Sequence, residues 1–238
     1  MLPYRAPLDD IGFVLDHLVR LAEAPEAREA ADAAPLILEE AGRFAEDILA
    51  PLNAIGDRHG AALEDGVVGT APGFKDALGR FAAAGWMGLV FPKAVGGQVL
   101  PWTLNAALSE LWSAANIAFQ ICPLLTQGAV EALLHHASEA QRATYVPPMV
   151  AGRWTGAMCL TESQAGSDLG AIRTTATPAD DPELGPHHRL RGQKIYISWG
   201  EHDMAENIVH LVLARLPDAP AGTKGCLLYP SPSPRDHG

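Results

Sequence analysis

The stretch LTESQAGSDLG, residues 160–170, carries an acid toward each end (Glu162, Asp168), glycines at 166 and 170, and hydroxyls at Thr161, Ser163 and Ser167. Nothing in it can fill a core. Glycines let a backbone approach a bound group closely, and N–H groups joined by hydroxyls make a donor-rich cradle. That chemistry suits the polar edge of a ring system or a pyrophosphate. Composition leaves an ordinary strand-to-strand loop equally open. The stretch follows the apolar-leaning run TGAMC, 155–159, so it begins where a strand ends.

Other groups in the chain invite chemistry less. The pairs His135-His136 and His187-His188 suggest a metal, but adjacent residues on a helix point in different directions, and the second pair lies in a polar stretch. No HExxH or CxxC spacing accompanies them. GxGxxG, GxxxxGK[ST] and GxSxG are absent, which argues against dinucleotide-fold, P-loop and hydrolase chemistry. Glu39-Glu40 and Glu46-Asp47 read as the solvated face of a helix. The run AAGWMGLVFP, 83–92, lacks interleaved Lys or Arg and reads as core and loop, not a base-stacking platform.

The elements that must position residues 160–170 change character near residue 150. From Pro35, LILEEAGRFAEDILAPL sets Ile37, Ala41, Phe44, Ile48 and Leu52 on one helical face, with Pro51 marking its end or a kink. The spacing predicts further helices over 73–86, over 104–120 with Thr103 as N-cap, and over 127–138. Ser138 to Gln141 has the form of a capping box opening a short helix toward Tyr145. After residue 150, Ile195, Tyr196, Ile197 and Ser198 alternate after a turn at Gly192, and NIVHLVLARL, 207–216, is β-branched enough for a buried strand. PADDPELG, 178–185, reads as a loop of turn formers. Helices first and strands after give an α+β fold with segregated layers. The end of the chain, GCLLYPSPSPRDHG, alternates Ser and Pro and reads as a tail that neither pairs nor packs.

The chain has 238 residues, 48% of them hydrophobic, and a net charge of −11. This supports one large domain or two small ones and argues against nucleic acid and anionic membrane surfaces as partners. No run approaches about 18 continuous apolar residues, so no membrane span is expected. Three widely separated cysteines (Cys122, Cys159, Cys226) make no disulfide framework, and the start MLPYRAPLDD lacks the pattern of a secretory signal, so the expected location is cytoplasmic.

AMCLTESQAGSDLGAIRT, 157–174, resembles the signature segment of the acyl-CoA dehydrogenase family, and GQKIYISWGEHDMAENIVHLVLAR, 192–215, is similar to the segment that follows it there. YRAPLDDIGFVL (4–15), FPKAVGGQVLP (91–101) and ANIAFQICPLLTQGAVEALLHH (115–136) resemble a longer branch of that family, acting on 3-methylthiopropanoyl-CoA and other acyl-CoAs. The resemblance covers about residues 4–225. It implies a helical N-terminal domain over 1–152, part of a middle β-barrel domain over 153–225, and a non-native or disordered tail over 226–238, with the family's C-terminal helical bundle missing.

The resemblance further implies FAD as cofactor, lined by Met158, Cys159, Leu160, Thr161, Gly166 and Ser167 on one side and by Tyr196, Ile197 and Ser198 on the other. Thr161 would meet the pyrimidine edge, and Ser167 would stand where the pyrophosphate and the acyl-CoA substrate approach each other. Tyr196 would pack on the ring, and Ser198 would reach the N5 side. In that family a carboxylate removes the α-proton of the thioester while a hydride leaves the β-carbon for the flavin. The product is a trans-2-enoyl-CoA, and the electrons pass to an electron-transferring flavoprotein. That base belongs to the third domain, so no catalytic residue is assigned; Glu162 and Asp168 are expected to order the loop. Ser163-Gln164 stands where the family often has Pro-Gly, and Val99 where it often has glycine. The implied assembly is a homo-oligomer when full length, with the FAD site completed by the third domain and a neighbouring subunit. A non-catalytic flavin- or acyl-CoA-binding module, or a helical interaction protein, is the alternative.

Overall fold

The computed structural model describes residues 3–182 and 185–232. Helices come first: α1 (Leu8–Phe13), α2 (Arg28–Phe44), α3 (Ala50–His59), α4 (Phe74–Ala83), α5 (Trp102–His136) and α6 (Glu139–Val150). A small antiparallel hairpin, β1 (Ala62–Glu64) and β2 (Val67–Gly69), lies between α3 and α4. The remaining strands are β3 (Trp154–Cys159), β4 (Thr175–Asp181), β5 (Gly185–Arg191), β6 (Asn207–Arg215) and β7 (Cys226–Ser231). The architecture is α+β, a helical part followed by a mixed sheet.

The helix expected from Pro35 to Leu52 runs from Arg28 to His59, with a wider, π-helical turn over Ala45–Leu49 joining α2 to α3. There the N–H of Ala50 reaches back to the Ala45 carbonyl. Pro51 follows at once and has no N–H to donate, so the wider turn absorbs the missing ladder bond instead of ending the helix. The innermost line of this helix is Leu38, Ala41, Ala45, Leu49 and Leu52; Ile37, Phe44 and Ile48 flank it. Small alanines let the backbone approach its neighbour, so the buried face is turned from the one marked by the largest side chains.

The two helices expected over 104–120 and 127–138 are one element, α5, broken at Asn116, whose φ of −160° and ψ of 88° are not helical. The Asn116 carboxamide accepts from the Phe119 N–H at 3.0 Å and donates to the Leu49 carbonyl at 3.1 Å. It thereby caps the second half of α5 from within and ties it to α2–α3. Thr103 is not the cap; Pro101 takes that place without a side-chain bond. Half of the most apolar window of α5 is buried inside the protein, although its length and composition alone suffice for a membrane span. Ser138 and Gln141 form the capping box in both directions, and α6 continues past Tyr145 to Val150.

Two apolar clusters result. One lies among the helices, around Leu49, Phe81, Leu104, Leu108, Trp112 and Phe119. The other joins α5 and α6 to the sheet through Phe91, Val130, Met149, Val209 and Leu211. Each fully buried side chain of this size contributes about 1.5–3 kcal/mol.

The sheet is organised around β6. β3 runs parallel to it from Trp154↔Asn207 to Cys159↔Val212, and β7 runs antiparallel on its other edge. β4 touches β6 only at Thr175↔Arg215, further along the edge that β3 has vacated. Where β3 stops and β4 takes over, the chain leaves the sheet as residues 160–174.

Three expectations for this region are corrected. Residues 178–185 are not a plain loop: β4 and β5 pair antiparallel from Thr175↔Arg191 to Asp181↔Gly185, and residues 183–184 lie outside the described residues. Pro178 is tolerated because this stretch of β4 has only β5 as partner among the described residues, and an open edge needs no donor. Residues 195–198, read as strand by their alternation, carry no ladder; the strand precedes them as β5. Residues 226–231, read as tail, pair along β6 as β7, because Leu227, Leu228 and Tyr229 suit a pleated edge. Residues 233–238, the rest of that tail, lie outside the described residues.

Candidate functional site

The loop after Cys159 is organised by the Glu162 carboxylate, which is 4% exposed. Its Oε2 accepts from the Arg173 N–H at 2.7 Å and from Gln164 Nε2 at 2.6 Å. Its Oε1 accepts from the Thr174 N–H at 3.0 Å and from Lys194 Nζ at 2.9 Å. Burial alone would raise this carboxyl. The donors of Thr174, Lys194 and the Arg173 backbone outweigh it and hold the group well below the usual carboxylate range. Among the described residues the Thr174 hydroxyl makes no hydrogen bond of standard geometry, though it stands near enough to Glu162 to favour the ionised carboxylate. The loop folds back on itself through paired bonds between Glu162 and Ala165, and Asp168 accepts from the Gly170 N–H at 3.0 Å. Glu162 is thus held by groups inside and beyond the stretch, and Asp168 by the backbone of the stretch itself.

The second sequence segment arrives beside the first. The Ile195 N–H donates to the Thr161 carbonyl at 3.0 Å, and Lys194 Nζ donates to the Leu160 carbonyl at 2.9 Å. From this seam Tyr196, Ile197 and Ser198 bulge outward. The far end of the bulge is pinned: Trp199 Nε1 donates to the Ala118 carbonyl of α5 at 3.0 Å, and its ring stacks on Phe74. His202, fully buried, takes the Met204 N–H on Nδ1 and so carries its proton on Nε2, which meets Thr155 Oγ1 at 3.0 Å. Tyr196 and Trp199 both adopt left-handed backbone (φ 56° and 52°). Such conformations cost of order 1–3 kcal/mol and persist only where the surroundings impose them, which here are the pinned ends.

The nine residues expected to line a ring divide by exposure. Thr161 is partly exposed, while Gly166, Ser167, Tyr196 and Ser198 are exposed, Tyr196 at 89%. Among the described residues nothing lies within 4 Å of where a Gly166 side chain would begin. Leu160 and Ile197 are half-buried. Met158 packs toward the cluster between α5, α6 and the sheet. Cys159 is buried, and burial pushes its thiol up to about 11 against the pull of Lys194. These two side chains serve the core, so only their backbone is available to a ligand. What sequence reasoning missed is Lys194, Gln164 and the backbone of Arg173 and Thr174. The one signal for Lys194 was charge complementarity: it is the lysine two residues before Tyr196, in the segment the resemblance sets against the loop that carries Glu162.

The seam thus sets Thr161 beside Ile195 and leaves Gly166 and Ser167 on one side and Tyr196 and Ser198 on the other exposed, an open shelf edged by hydroxyls, a glycine and one aromatic ring. Its chemistry suits a flat ring system with a polar rim: Glu162 is buried with its oxygens occupied, and the exposed Asp168 accepts from the Gly170 N–H. Among the described residues no cluster of His, Cys, Asp and Glu can hold a metal.

The succession of helices and a sheet, with this shelf at their junction, agrees with comparison to known proteins. The model of the acyl-CoA dehydrogenase N-terminal domain matches residues 32–153, and the chain belongs to the acyl-CoA dehydrogenase family. It is 45% identical over 235 residues to 3-methylmercaptopropionyl-CoA dehydrogenase of Ruegeria pomeroyi, covering 97% of this chain and 39% of that protein. A probable acyl-CoA dehydrogenase from Mycobacterium abscessus superposes with a TM-score of 0.64 at 26% identity, over 87% of this chain and 48% of that one. An acyl-CoA dehydrogenase from Bacillus anthracis, solved with FAD, shares the fold with a TM-score of 0.64 at 22% identity, over 84% of this chain and 30% of that one. The chain therefore spans less than half the length of these relatives. FAD is the cofactor to which the family points.

Proposed function

We propose that this chain forms the flavin-facing part of an FAD-dependent acyl-CoA dehydrogenase, which oxidises the α,β bond of an acyl-CoA thioester to a trans-2-enoyl-CoA. The observation that carries this reading is the seam between Ile195 and Thr161, which sets the glycine- and hydroxyl-rich loop against the Tyr-Ile-Ser bulge. Thr161 and Ser198 present donors to the rim of the ring, Tyr196 gives it an apolar face, and Gly166 and Ser167 leave room for the phosphate-bearing end. Bound FAD supplies the acceptor for the hydride that leaves the β-carbon. Oriented donors at the rim stabilise the charge that develops there.

Glu162 is no candidate for the base that takes the α-proton: four donors already occupy its oxygens. An electron-transferring flavoprotein as the onward acceptor, a homo-oligomeric holoenzyme and the absence of a membrane span belong to the same proposal. Free thiols at Cys122, Cys159 and Cys226 support a reducing, cytoplasmic setting.

The test is flavin absorbance in protein expressed as this chain and as the longest reading frame containing it. In the longer form, stoichiometric FAD bleached by an acyl-CoA in the absence of oxygen is the expected result. A colourless longer protein that takes up no added FAD overturns the assignment.

A further inference from the structure

Three separate segments converge on one buried ion pair. Glu162, 4% exposed, and the Lys194 side chain, 10% exposed, meet at 2.9 Å. Residues 160–164 contribute the carboxylate, the Leu160 carbonyl and Gln164 Nε2; residues 173–174 contribute two backbone N–H groups; residues 194–195 contribute the ammonium and, one residue on, the N–H that grips Thr161. Burying two charges is a poor route to stability, since apolar replacements of similar volume often do as well or better. What this pair does that an apolar pair cannot is fix direction. The ammonium spans from the Leu160 carbonyl to Glu162 Oε1, so the spacing between loop and bulge is set by two bonds of 2.9 Å on one atom.

We propose that Glu162 and Lys194 are the positioning pair of the flavin shelf, holding its two walls at the separation the ring requires. The proposal rests on the flavin reading and adds to it which side chains set the gap. Neither residue faces the shelf, so both act through Thr161, Tyr196 and Ser198. Among the described residues, the buried Cys159 thiol lies close enough to feel the Lys194 charge, while Asp168 and Arg173 have exposed side chains that do not join the pair.

The test uses the longest expressed form with four variants: Lys194→Met, Lys194→Arg, Glu162→Gln, and Glu162→Gln combined with Lys194→Met, which leaves no buried charge unpaired should the single changes fail to fold. Two quantities are read: the Kd for added FAD, and hydrogen exchange of the Thr174 and Ile195 amides in flavin-free protein. Expected are an FAD affinity weakened on the order of tenfold in Lys194→Met and in the double variant, faster exchange at both amides, and recovery to near the parent value in Lys194→Arg. A double variant that folds, binds FAD as tightly as the parent and leaves both amides as protected overturns the proposal. So does a loss that Lys194→Arg fails to recover. A parent protein that binds no FAD defeats the underlying reading instead, and is recognised because both amides remain protected in it.

Discussion

The Asp203 carboxylate accepts two hydrogen bonds from Thr70, one from the hydroxyl at 2.7 Å and one from the backbone N–H at 3.0 Å. It thereby stitches the chain just before β6 to the segment that follows the β1–β2 hairpin, across the helical and sheet parts. Burial works against the ionised form of Asp203. The Thr70 bonds, with its own backbone and Lys75, prevail and hold its pKa below the usual value. A depressed folded-state value adds stability that is full above the unfolded value of about 3.9 and is lost as pH falls through the folded one. Glu162 behaves alike above about 4.3. Unfolding by denaturant followed from pH 7 to pH 3 should therefore show stability falling below about pH 4.5. Asp203→Ala should lower stability at pH 7 by about 1.5–3 kcal/mol and flatten the acid slope. An unchanged slope in that variant would separate Asp203 from the acid response.

Gly156 lies where β3 crosses α5. A Cβ there would meet the Ala129 Cβ at 2.7 Å, Met149 Cε at 2.8 Å and Thr126 Cα at 3.3 Å. Met149 can swing away; the methyl and the backbone of α5 cannot. The Gly156 N–H also donates to Thr126 Oγ1 at 3.0 Å. Gly156→Val should push β3 off the helix and cost about 1–3 kcal/mol. Because β3 leads into the 160–174 loop, amide exchange at Thr174 should rise in the same variant. Thermal unfolding beside exchange data checks both.

Burial pushes the thiols of Cys122 and Cys159 up to about 12 and about 11. Thiolate is the reactive form, so both should resist a thiol reagent at neutral pH. Cys226, on edge strand β7, is partly accessible. Titration of the native chain should label Cys226 alone among the three cysteines, and denaturant should release the other two. Rapid labelling of Cys159 in the native chain would mean that the β3–loop junction opens.

Val99 has a φ of 61°, in the left-handed region, and its side chain is 57% exposed. A β-branched residue loses roughly 1–2 kcal/mol there, while glycine gives back about 0.5–1 kcal/mol in chain entropy. Val99→Gly should therefore leave stability unchanged or raise it by up to about 1.5 kcal/mol. The Val99 N–H bond to the Phe91 carbonyl at 3.1 Å should persist. A loss of stability in chemical denaturation would show that Val99 carries packing which its exposure conceals.

The residue pattern by itself determined the order of the architecture. Apolar residues at three-to-four spacing up to residue 150 and β-branched runs after it have few alternatives to helices followed by strands. The capping box at Ser138 was legible for the same reason: it is a contact between residues three apart. The loop of small donors at 160–170 was legible because small polar residues cannot form a core. Tertiary structure decided what depends on distant partners. Asn116 breaks α5 while gripping Leu49, and local propensity holds no trace of that bond. Residues 226–231 became a strand because β6 offered an open edge. Tyr196 to Ser198 became an outward bulge because Lys194, Trp199 and His202 pin its ends from three directions. The two halves of the shelf lie about thirty residues apart in the chain, and only a buried carboxylate with four donors from three segments says how far apart they stand in space.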